Sequence, residues 1–253
     1  MLRGWLAAVV LHWPTAAASR GWLAVVVLHW PTAAASRGWL AAAAALWLSA
    51  AAAAPTPAEL VAPADFDFYV LTLSWSPGFC DLGGARKSPE QCGAGASAGF
   101  VVHGLWPDNA NRDDPSACGL KPDYIPSAVL AVGARVYPTR GLALHEWREH
   151  GTCTGLDAAY YFRAVQYARD EFTLPEKFAA PHERFTMAPD EIVKAFAAVN
   201  ANLTADSMAV TCERGELIDV RFCLTRDLRA FARCPKVARR SCRDDSVGVS
   251  PVR

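Results

Sequence analysis

The sequence predicts an α+β fold in a single domain, with a central, mainly antiparallel sheet that is packed by helices and stabilised by disulfides. Two observations lead to this prediction. Strand-like and helix-like segments follow one another without the regular alternation that builds a doubly wound parallel sheet. All eight cysteines lie behind an export-type leader, which is typical of a disulfide framework.

The first 54 residues form a separate compositional segment, with no Asp or Glu and six of the nine Trp. Three copies of a repeat begin at Arg3, Arg20 and Arg37, and a Trp-Pro pair breaks the first two into apolar runs too short to span a bilayer. The third copy runs unbroken into small residues, as a secretory signal peptide does. We therefore expect a removable leader over 1–54 and a folded domain over 55–253; the alternative is a retained membrane anchor.

Residues 55–253 are mildly acidic. They hold all 25 acidic side chains against the 22 basic ones that remain once the three Arg of the leader are set aside. This balance excludes a broad basic surface of the kind found on histones and ribosomal proteins. Apolar residues continue throughout, which excludes disorder for most of the domain.

The first half of the domain is predicted from its apolar patterns. Residues 65–75 are aromatic and β-branched and are closed by Pro77-Gly78, which predicts a buried central strand. A second short strand is predicted over 99–103. Turn-rich sequences predict loops over 83–99 and 109–126, and helices are predicted over about 127–136 and 142–150, the second ended by Gly151.

The second half of the domain begins with a helix that Asp157 caps and that runs to about Phe172. Its predicted buried stripe is Tyr161, Ala164, Val165, Ala168 and Phe172. A further helix follows Pro189, with Ile192, Val193, Phe196 and Val199 expected to face inward. Two strands, 207–213 and 216–224, are predicted on either side of Arg214-Gly215, and a last strand around Phe231.

The cysteines favour disulfides over metal binding, because no Cys-x-x-Cys occurs and the spacings match no zinc template. Their even number after an export signal indicates an oxidising compartment. The sequence alone leaves the connectivity open. The residues are Cys80, Cys92, Cys118, Cys153, Cys212, Cys223, Cys234 and Cys242.

Chemistry-bearing residues concentrate in two segments, FVVHGLWPD over 100–108 and HEWREHGTC over 145–153. They hold three of the four His of the domain, two Trp and an acidic residue, and this clustering favours a functional site. A single His is more often a core residue, which is how we interpret His182. The repeat residues His12 and His29 are assigned no role.

A zinc-protease helix is excluded by spacing. Its His ligands stand at i and i+4, whereas His145 and His150 stand at i and i+5, about 140° apart around a helix. Glu146 and His150 do stand at i and i+4. We therefore expect the Glu146 carboxylate to orient the His150 imidazole and raise its pKa, which suits proton transfer at mildly acidic pH.

The two segments resemble the active-site segments of the ribonuclease T2 family of secreted acid endoribonucleases, in a bacterial-type member. They occur in the family's order, about 40 residues apart, and the resemblance extends to Trp75-Ser-Pro-Gly-Phe-Cys80 and the Cys-rich end but not to the leader. It implies cleavage of single-stranded RNA without metal or cofactor, through 2′,3′-cyclic phosphates to 3′-phosphate ends and with low base specificity. DNA lacks the 2′-hydroxyl and is not expected to react.

The resemblance also implies roles for individual residues. His103 and His150 form the acid and base pair, in an order that stays open at this point. His145 binds the phosphate, and Glu146 orients a histidine and helps to stabilise the pentavalent transition state. Trp106 and Asp108 match base-binding positions, where stacking tolerates any base, although core packing is the alternative for Trp106. Trp147 is expected to be structural.

One position departs from the family. The family usually has Lys just before the last His of the second segment, and this chain has Glu149, whose carboxylate is expected to repel the phosphate. Arg148 is the candidate substrate-binding cation that substitutes for this Lys. The departure favours lower activity or a lower pH optimum, and it is the one support for an alternative: a weakened ribonuclease-fold protein that acts by RNA binding or protein contact.

The resemblance further implies four disulfides: Cys80–Cys92, Cys118–Cys153, Cys212–Cys242 and Cys223–Cys234. We expect an exported protein, periplasmic or secreted, that is a monomer with single-stranded RNA as its partner. Contact with a membrane is expected only if the leader is retained.

Overall fold

A six-stranded sheet organises residues 64–96, 98–119 and 124–253, which are those that the computed structural model describes. The expected leader, 1–54, lies outside the described residues. The strands are β1 (Phe68–Trp75), β2 (Phe100–Asp108), β3 (Phe185–Met187), β4 (Met208–Glu213), β5 (Glu216–Leu224) and β6 (Val247–Val249).

The sheet is mainly antiparallel, as predicted. Its order is β2-β1-β5-β6-β3, and β4 also pairs with β5. The pairs β1–β2, β1–β5, β4–β5 and β3–β6 are antiparallel, and the parallel pairing of β5 with β6 joins Glu216 to Gly248. The tight turn between β4 and β5 is made by Arg214 and Gly215, whose φ angles of 51° and 77° suit a two-residue hairpin.

Seven α-helices surround the sheet in the described part of the chain. They are α1 (Ser76–Asp81), α2 (Pro89–Cys92), α3 (Ser127–Gly133), α4 (Arg140–Glu149), α5 (Ala158–Asp170), α6 (Pro189–Val199) and α7 (Pro235–Ala238). None of the described helices is long and apolar enough to cross a membrane.

The two faces of the sheet carry different side chains, because side chains alternate along each strand. On β1, Tyr69, Leu71, Leu73 and Trp75 enter the main core, which also takes the apolar stripe of α5. On the other face, Phe68 and Val70 join a smaller cluster that Trp106 packs against. That second face carries Thr72 and Ser74, and it is where the polar residues of neighbouring strands collect.

A bulge in β2 sets the position of one histidine. In the pairing with β1, Gly104 lies opposite Thr72 and Val102 opposite Leu73, so that His103 is the extra residue. Bulges bend a strand and re-aim a side chain, and they occur often beside functional sites. The sequence predicts a strand that stops at residue 103. The observed strand continues through Pro107, which an edge strand tolerates because one side of it needs no ladder hydrogen bonds.

Most other predicted elements are confirmed, with four corrections. The predicted loop over 83–99 contains the helix α2 and a 3₁₀ helix, Gly84–Arg86. Val199 was expected to face inward but is 42% exposed, because it is the last residue of α6. His182 is exposed in the loop before β3 and is not a core residue. Phe231 forms only an isolated bridge with Leu224. The edge pair β3 and β6 was missed, since three-residue strands are too short to show a period.

Four disulfides join the same pairs that the family resemblance implies, and the described residues contain no free cysteine. Cys118–Cys153 ties the loop after β2 to the 3₁₀ helix Gly151–Thr154, which follows α4. A native disulfide of this kind contributes about 2–5 kcal/mol to stability. This link joins the loop that follows the first segment to the end of the second segment, 145–153.

Candidate active site

The site is built around His103, which projects from the bulge of β2 and is 37% exposed. The two ring nitrogens face different neighbours. Nδ1 lies 3.2 Å from the Ser74 hydroxyl of β1 and 3.7 Å from Oδ1 of Asp219 in β5. Nε2 lies 3.8 Å from Oε1 of Glu146 in α4. The imidazole is therefore held between two carboxylates.

Glu146 is 1% exposed although it carries a carboxylate. Its Oε2 accepts a hydrogen bond of 2.7 Å from the indole N–H of Trp106. Gly104 makes room for this bond, because a Cβ at that residue would lie 2.1 Å from both Glu146 Oε2 and Trp106 Nε1. A glycine is therefore required where β2 meets α4.

Trp106 lies between the two candidate proton-transfer residues. Its ring centroid is 5.3 Å from that of His103, edge to face, and 5.2 Å from that of His150. The guanidinium of Arg221 in β5 stands 5.4 Å from the same ring. Neither pure core packing nor free base stacking describes this half-buried indole, which joins the imidazoles, Glu146 and Arg221 into one cluster.

His150 differs from the expectation drawn from helical spacing. Helix α4 ends at Glu149, and His150 has a φ of −125°, so its side chain leaves the helical face that carries Glu146. The side chain of Glu146 bonds to Trp106 and neighbours His103, which makes the expected Glu146–His150 pairing wrong. The ring atom Nδ1 of His150 is buried and has no hydrogen-bond partner among the described residues.

The pKa values of His103 and His150 are shifted in opposite directions. Burial alone would lower the pKa of His103, but the hydrogen bond and charge of Asp219 and the charge of Glu146 outweigh burial, and this pKa is raised. Burial lowers the pKa of His150 to about 4, with the charges of His145 and His103 acting in the same direction and Glu149 opposing. Burial also raises the pKa of Glu146.

His145 is exposed on α4 and opens onto a cleft of about 880 Å³ that His103 also lines. Arg140, at the start of the same helix, faces this cleft, as do Lys87, Glu90 and Gln91 from the segment before β2. The fold therefore places His145 at a cleft that a phosphate group could enter.

Asp108 lies in a different setting from the one expected for a base-binding residue. Its side chain is buried, and its Oδ1 is 3.4 Å from Nζ of Lys236, which also contacts Asp114. Burial raises the pKa of Asp108 to about 7, and the neighbouring Asp114 adds to this effect. The Asp108 carboxyl group thus belongs to a cluster with Lys236 and Asp114.

The end of α4 carries the residues that depart from the family pattern. Arg148 is exposed, and its backbone carbonyl accepts a hydrogen bond from Thr152. Glu149 accepts a hydrogen bond of 3.2 Å from the Ser116 hydroxyl. Trp147 packs on Tyr161 with ring centroids 5.8 Å apart, which agrees with a structural role.

Three residues of the cluster were missed from sequence: Ser74, Asp219 and Arg221. Asp219 and Arg221 alternate with Val220 and Phe222 along β5. Charged residues at i and i+2 inside an otherwise apolar strand were the available signal, because they mark one polar face. Their proximity to His103 depends on β5 pairing with β1, which no local pattern shows.

One other cluster brings metal-ligand types together in the described residues, namely Cys212, Cys242 and Asp244. Its two sulfurs are joined to each other in a disulfide. A sulfur in a disulfide is not a thiolate and does not serve as a metal ligand.

Comparison with known proteins identifies a family and several relatives that this chain resembles. The Ribonuclease T2 family model matches residues 66–234. A Haemophilus influenzae protein named "Probable ribonuclease" is 37% identical over 135 residues, which cover 49% of this chain and 50% of that protein. A "Ribonuclease" from Aeromonas hydrophila is 42% identical over 92 residues, 36% of this chain and 40% of that protein. This chain thus spans half or less of the length of both relatives.

Solved structures share the fold. An RNase-related protein from Calystegia sepium superposes with a TM-score of 0.60 at 20% identity, over 75% of this chain and 99% of that one. The self-incompatibility associated SF11-RNase of Nicotiana alata does so with a TM-score of 0.56 at 22% identity, over 75% and 100%. Because the family model covers more than half of the sequence, the chain belongs to the ribonuclease T2 family, with bacterial relatives among its matches.

Proposed function

We propose that this protein is an endoribonuclease that cleaves single-stranded RNA by transphosphorylation, with low base specificity and without a metal or cofactor. The observation that carries the proposal is the pair of imidazoles, His103 and His150, on the two sides of Trp106 with pKa values moved apart. Two groups whose environments separate their pKa values are suited to act as acid and base.

The pKa directions support one order for the acid and the base, which the sequence leaves open. Above about pH 4 His150 is neutral and takes the proton from the ribose 2′-hydroxyl, whose oxygen then attacks phosphorus. The bond from phosphorus to the 5′-oxygen breaks, and protonated His103 donates its Nε2 proton to that oxygen. The products are a 2′,3′-cyclic phosphate and a free 5′-hydroxyl.

Hydrolysis of the cyclic phosphate uses the same residues in reverse. His103, now neutral, takes a proton from water as the water oxygen attacks phosphorus. His150, now protonated, returns its proton to the departing 2′-oxygen, which leaves a 3′-phosphate. Both imidazoles end in their starting states, so the cycle closes.

The other residues of the cluster support these two. Glu146 holds Trp106 and faces His103 Nε2, which fits a role in orienting the acid. His145 lines the cleft with Lys87 and Arg140, which supports a role for it in binding phosphate. Trp106, which is half-buried, is proposed to stack on a base, and the exposed Arg148 is proposed to bind the substrate. Asp108 is left out of the RNA contacts because its carboxyl is buried against Lys236.

The central experiment compares RNA and DNA as substrates of the domain 55–253 in EDTA, between about pH 4 and 8. We expect cleavage of RNA only, because DNA lacks the attacking hydroxyl. His103→Ala and His150→Ala are each expected to lose about 10²–10⁴-fold in rate. Cleavage of DNA, or loss of RNA cleavage in EDTA, would contradict the mechanism.

A second substrate separates acid from base. A nucleoside 3′-(4-nitrophenyl phosphate) has a leaving group that needs no proton, whereas its 2′-hydroxyl still needs a base. We expect His103→Ala to recover most of its lost rate on this ester and His150→Ala to recover little. The opposite pattern would reverse the two roles.

The alternative function, RNA binding or protein contact by a weakened ribonuclease fold, is favoured by one observation, the carboxylate of Glu149 next to His150. It predicts RNA binding without cleavage at every pH tested. Detection of cyclic phosphate products from the purified domain would exclude it.

We also propose that the protein is exported to the periplasm or secreted as a monomer, after removal of residues 1–54. Four disulfides in the described residues suit an oxidising compartment. N-terminal sequencing of protein recovered from periplasm or medium, with size determination of the same sample, tests these points. Recovery from the membrane fraction with an intact N-terminus would support the retained anchor.

A further inference from the structure

A buried carboxylate lies on the side of His103 that faces away from Glu146. Asp219 is 4% exposed, and its Oδ1 accepts a hydrogen bond of 2.5 Å from the Ser74 hydroxyl. The same hydroxyl oxygen lies 3.2 Å from His103 Nδ1, and Asp219 Oδ1 itself is 3.7 Å from that nitrogen. Ser74 therefore connects the carboxylate to the ring while the carboxylate also approaches the ring directly.

The backbone brings these three residues together by register. Ser74 and Asp219 are direct partners across β1 and β5. His103 is the extra residue of the β2 bulge, and Ile218, the neighbour of Asp219, is the extra residue where β5 pairs with β4. One bulge therefore carries His103, and the other adjoins Asp219. Each bulge turns the side chain toward the contact between His103 and Asp219.

The carboxylate of Asp219 is held from its other side as well. Its Oδ2 is 3.3 Å from a guanidinium nitrogen of Arg221 and 3.4 Å from the Thr211 hydroxyl, which also accepts a hydrogen bond from the Asp219 backbone N–H. Burial of an ionised carboxylate is unfavourable unless partners compensate it. Here the partners fix the carboxylate in one orientation toward His103.

We propose that Asp219 is a positioning residue for His103: directly and through the Ser74 hydroxyl it holds Nδ1–H, so that Nε2 is the nitrogen that exchanges protons with the substrate. The proposal rests on the proposed role of His103 as proton donor. After donation from Nε2, the proton on Nδ1 stays hydrogen-bonded, and the neutral ring keeps a bare Nε2. That is the tautomer needed to take a proton from water in the second step.

The charged groups that face His103 come from three directions. Glu146 approaches from α4, Asp219 and Arg221 approach from β5, and the His150 imidazole lies within electrostatic range. Asp219 and Glu146 favour the protonated ring, whereas Arg221 and burial oppose it. Removal of the Asp219 charge should therefore lower the pKa of His103 and leave its ring free to turn.

The kinetic test uses two variants and a matched control on the same strand face. Asp219→Asn keeps the shape of the side chain and removes its charge. We expect kcat on RNA to fall about 10- to 100-fold with KM unchanged, which is less than the loss expected when a general acid is removed altogether. Ser74→Ala, which removes only the connecting hydroxyl, is expected to lose about tenfold. Thr72→Val removes a buried hydroxyl without a partner among the described residues and should match the wild type.

Two readouts distinguish positioning from a general structural effect. The alkaline limb of the rate profile should move to lower pH in Asp219→Asn and stay in place in Thr72→Val. Most of the rate lost by Asp219→Asn should return on the 4-nitrophenyl ester, since that leaving group needs no acid. Equal losses on RNA and on the ester would overturn the proposal.

A titration of the His103 C2 proton by NMR tests the contact without catalysis. We expect its pKa to be lower in Asp219→Asn and in Ser74→Ala than in the wild type and the control. An unchanged pKa in both variants would overturn the positioning role even in an active enzyme. Failure of the wild-type domain to cleave RNA would instead count against the proposed function, and the titration would still report on the contact.

Discussion

Glu146 contacts both His103 and Trp106 through different oxygens. Oε1 lies 3.8 Å from His103 Nε2, and Oε2 accepts the 2.7 Å hydrogen bond from Trp106 Nε1. A single buried carboxylate therefore fixes the indole and supplies a negative charge to the imidazole. This side chain thus links α4 to the edge strand β2 within the site.

Replacement of this carboxylate by an amide should change the pH dependence of cleavage. Glu146→Gln keeps an acceptor for Trp106 but removes a charge that raises the pKa of His103. Since the acid must be protonated, the alkaline limb of kcat/KM should move to lower pH, and kcat should fall about 10- to 100-fold. A rate profile on a short RNA measures both effects. An alkaline limb at the wild-type position would contradict the contact between Glu146 and His103.

Gly104→Ala should disrupt the same link by sterics. The added methyl group would overlap Glu146 Oε2 and Trp106 Nε1, so the strand and α4 must separate. We expect a loss of about 1–3 kcal/mol in the free energy of unfolding, together with a strong loss of activity. Denaturant unfolding and an RNA assay measure the two quantities.

The control for this substitution is Gly141→Ala in the first turn of α4. Its Cβ would meet only the Thr139 hydroxyl at 3.8 Å, an ordinary contact. Alanine favours a helix over glycine by about 1 kcal/mol, so this variant should be at least as stable as the wild type. Equal free energies of unfolding for Gly104→Ala and Gly141→Ala would show that β2 and α4 can move apart at Gly104 without loss of stability.

Glu149→Lys should raise turnover on RNA and move the acid limb to lower pH. The Glu149 charge raises the pKa of His150, and a positive charge in its place would lower this pKa below about 4. The base then stays neutral at lower pH, and the repulsion of phosphate is removed. Rate profiles of Glu149→Lys and Glu149→Gln should show the larger shift for Lys.

Ser116→Ala is the matched control for Glu149, because it removes the hydrogen bond to this carboxylate and keeps the charge. It should leave the acid limb of the rate profile unchanged. A rate for Glu149→Lys equal to or below that of the wild type would show that the departure from the family pattern does not limit catalysis.

Asp108 should make stability depend on pH in an unusual direction for a carboxyl group. Its pKa is raised from its ordinary value of 3.8 to about 7, so between these values the native state holds a proton that the unfolded chain releases. The stabilisation is complete below the unfolded pKa and is lost as pH rises through about 7. Asp108→Asn should flatten this part of the stability profile and gain stability relative to the wild type at neutral pH.

Thermal and denaturant unfolding at several pH values measure this effect. Asp113→Asn, in the same loop but exposed, is the control and should follow the wild-type profile. A parallel profile for Asp108→Asn and the wild type would mean that Asp108 is ionised in the native state.

Local patterns were sufficient for much of this protein. The apolar run of β1, the amphipathic stripe of α5 with its Asp157 cap, and the β4–β5 hairpin follow from short-range periodicity and turn chemistry, and each is observed. The two segments that carry His103 and His150 could be identified because their chemistry is concentrated in consecutive residues. The short pair β3 and β6 could not be predicted, because its stability comes from tertiary pairing.

The partners of each histidine were decided only by the tertiary structure. From helical spacing Glu146 belongs with His150, but α4 ends before His150, and the carboxylate instead faces His103 across the β2 edge. Asp219 and Ser74 lie 145 residues apart and meet because β1 and β5 pair in register. Residue identity supplies the acids and bases, whereas burial and neighbouring charge, which depend on long-range packing, determine which imidazole holds a proton.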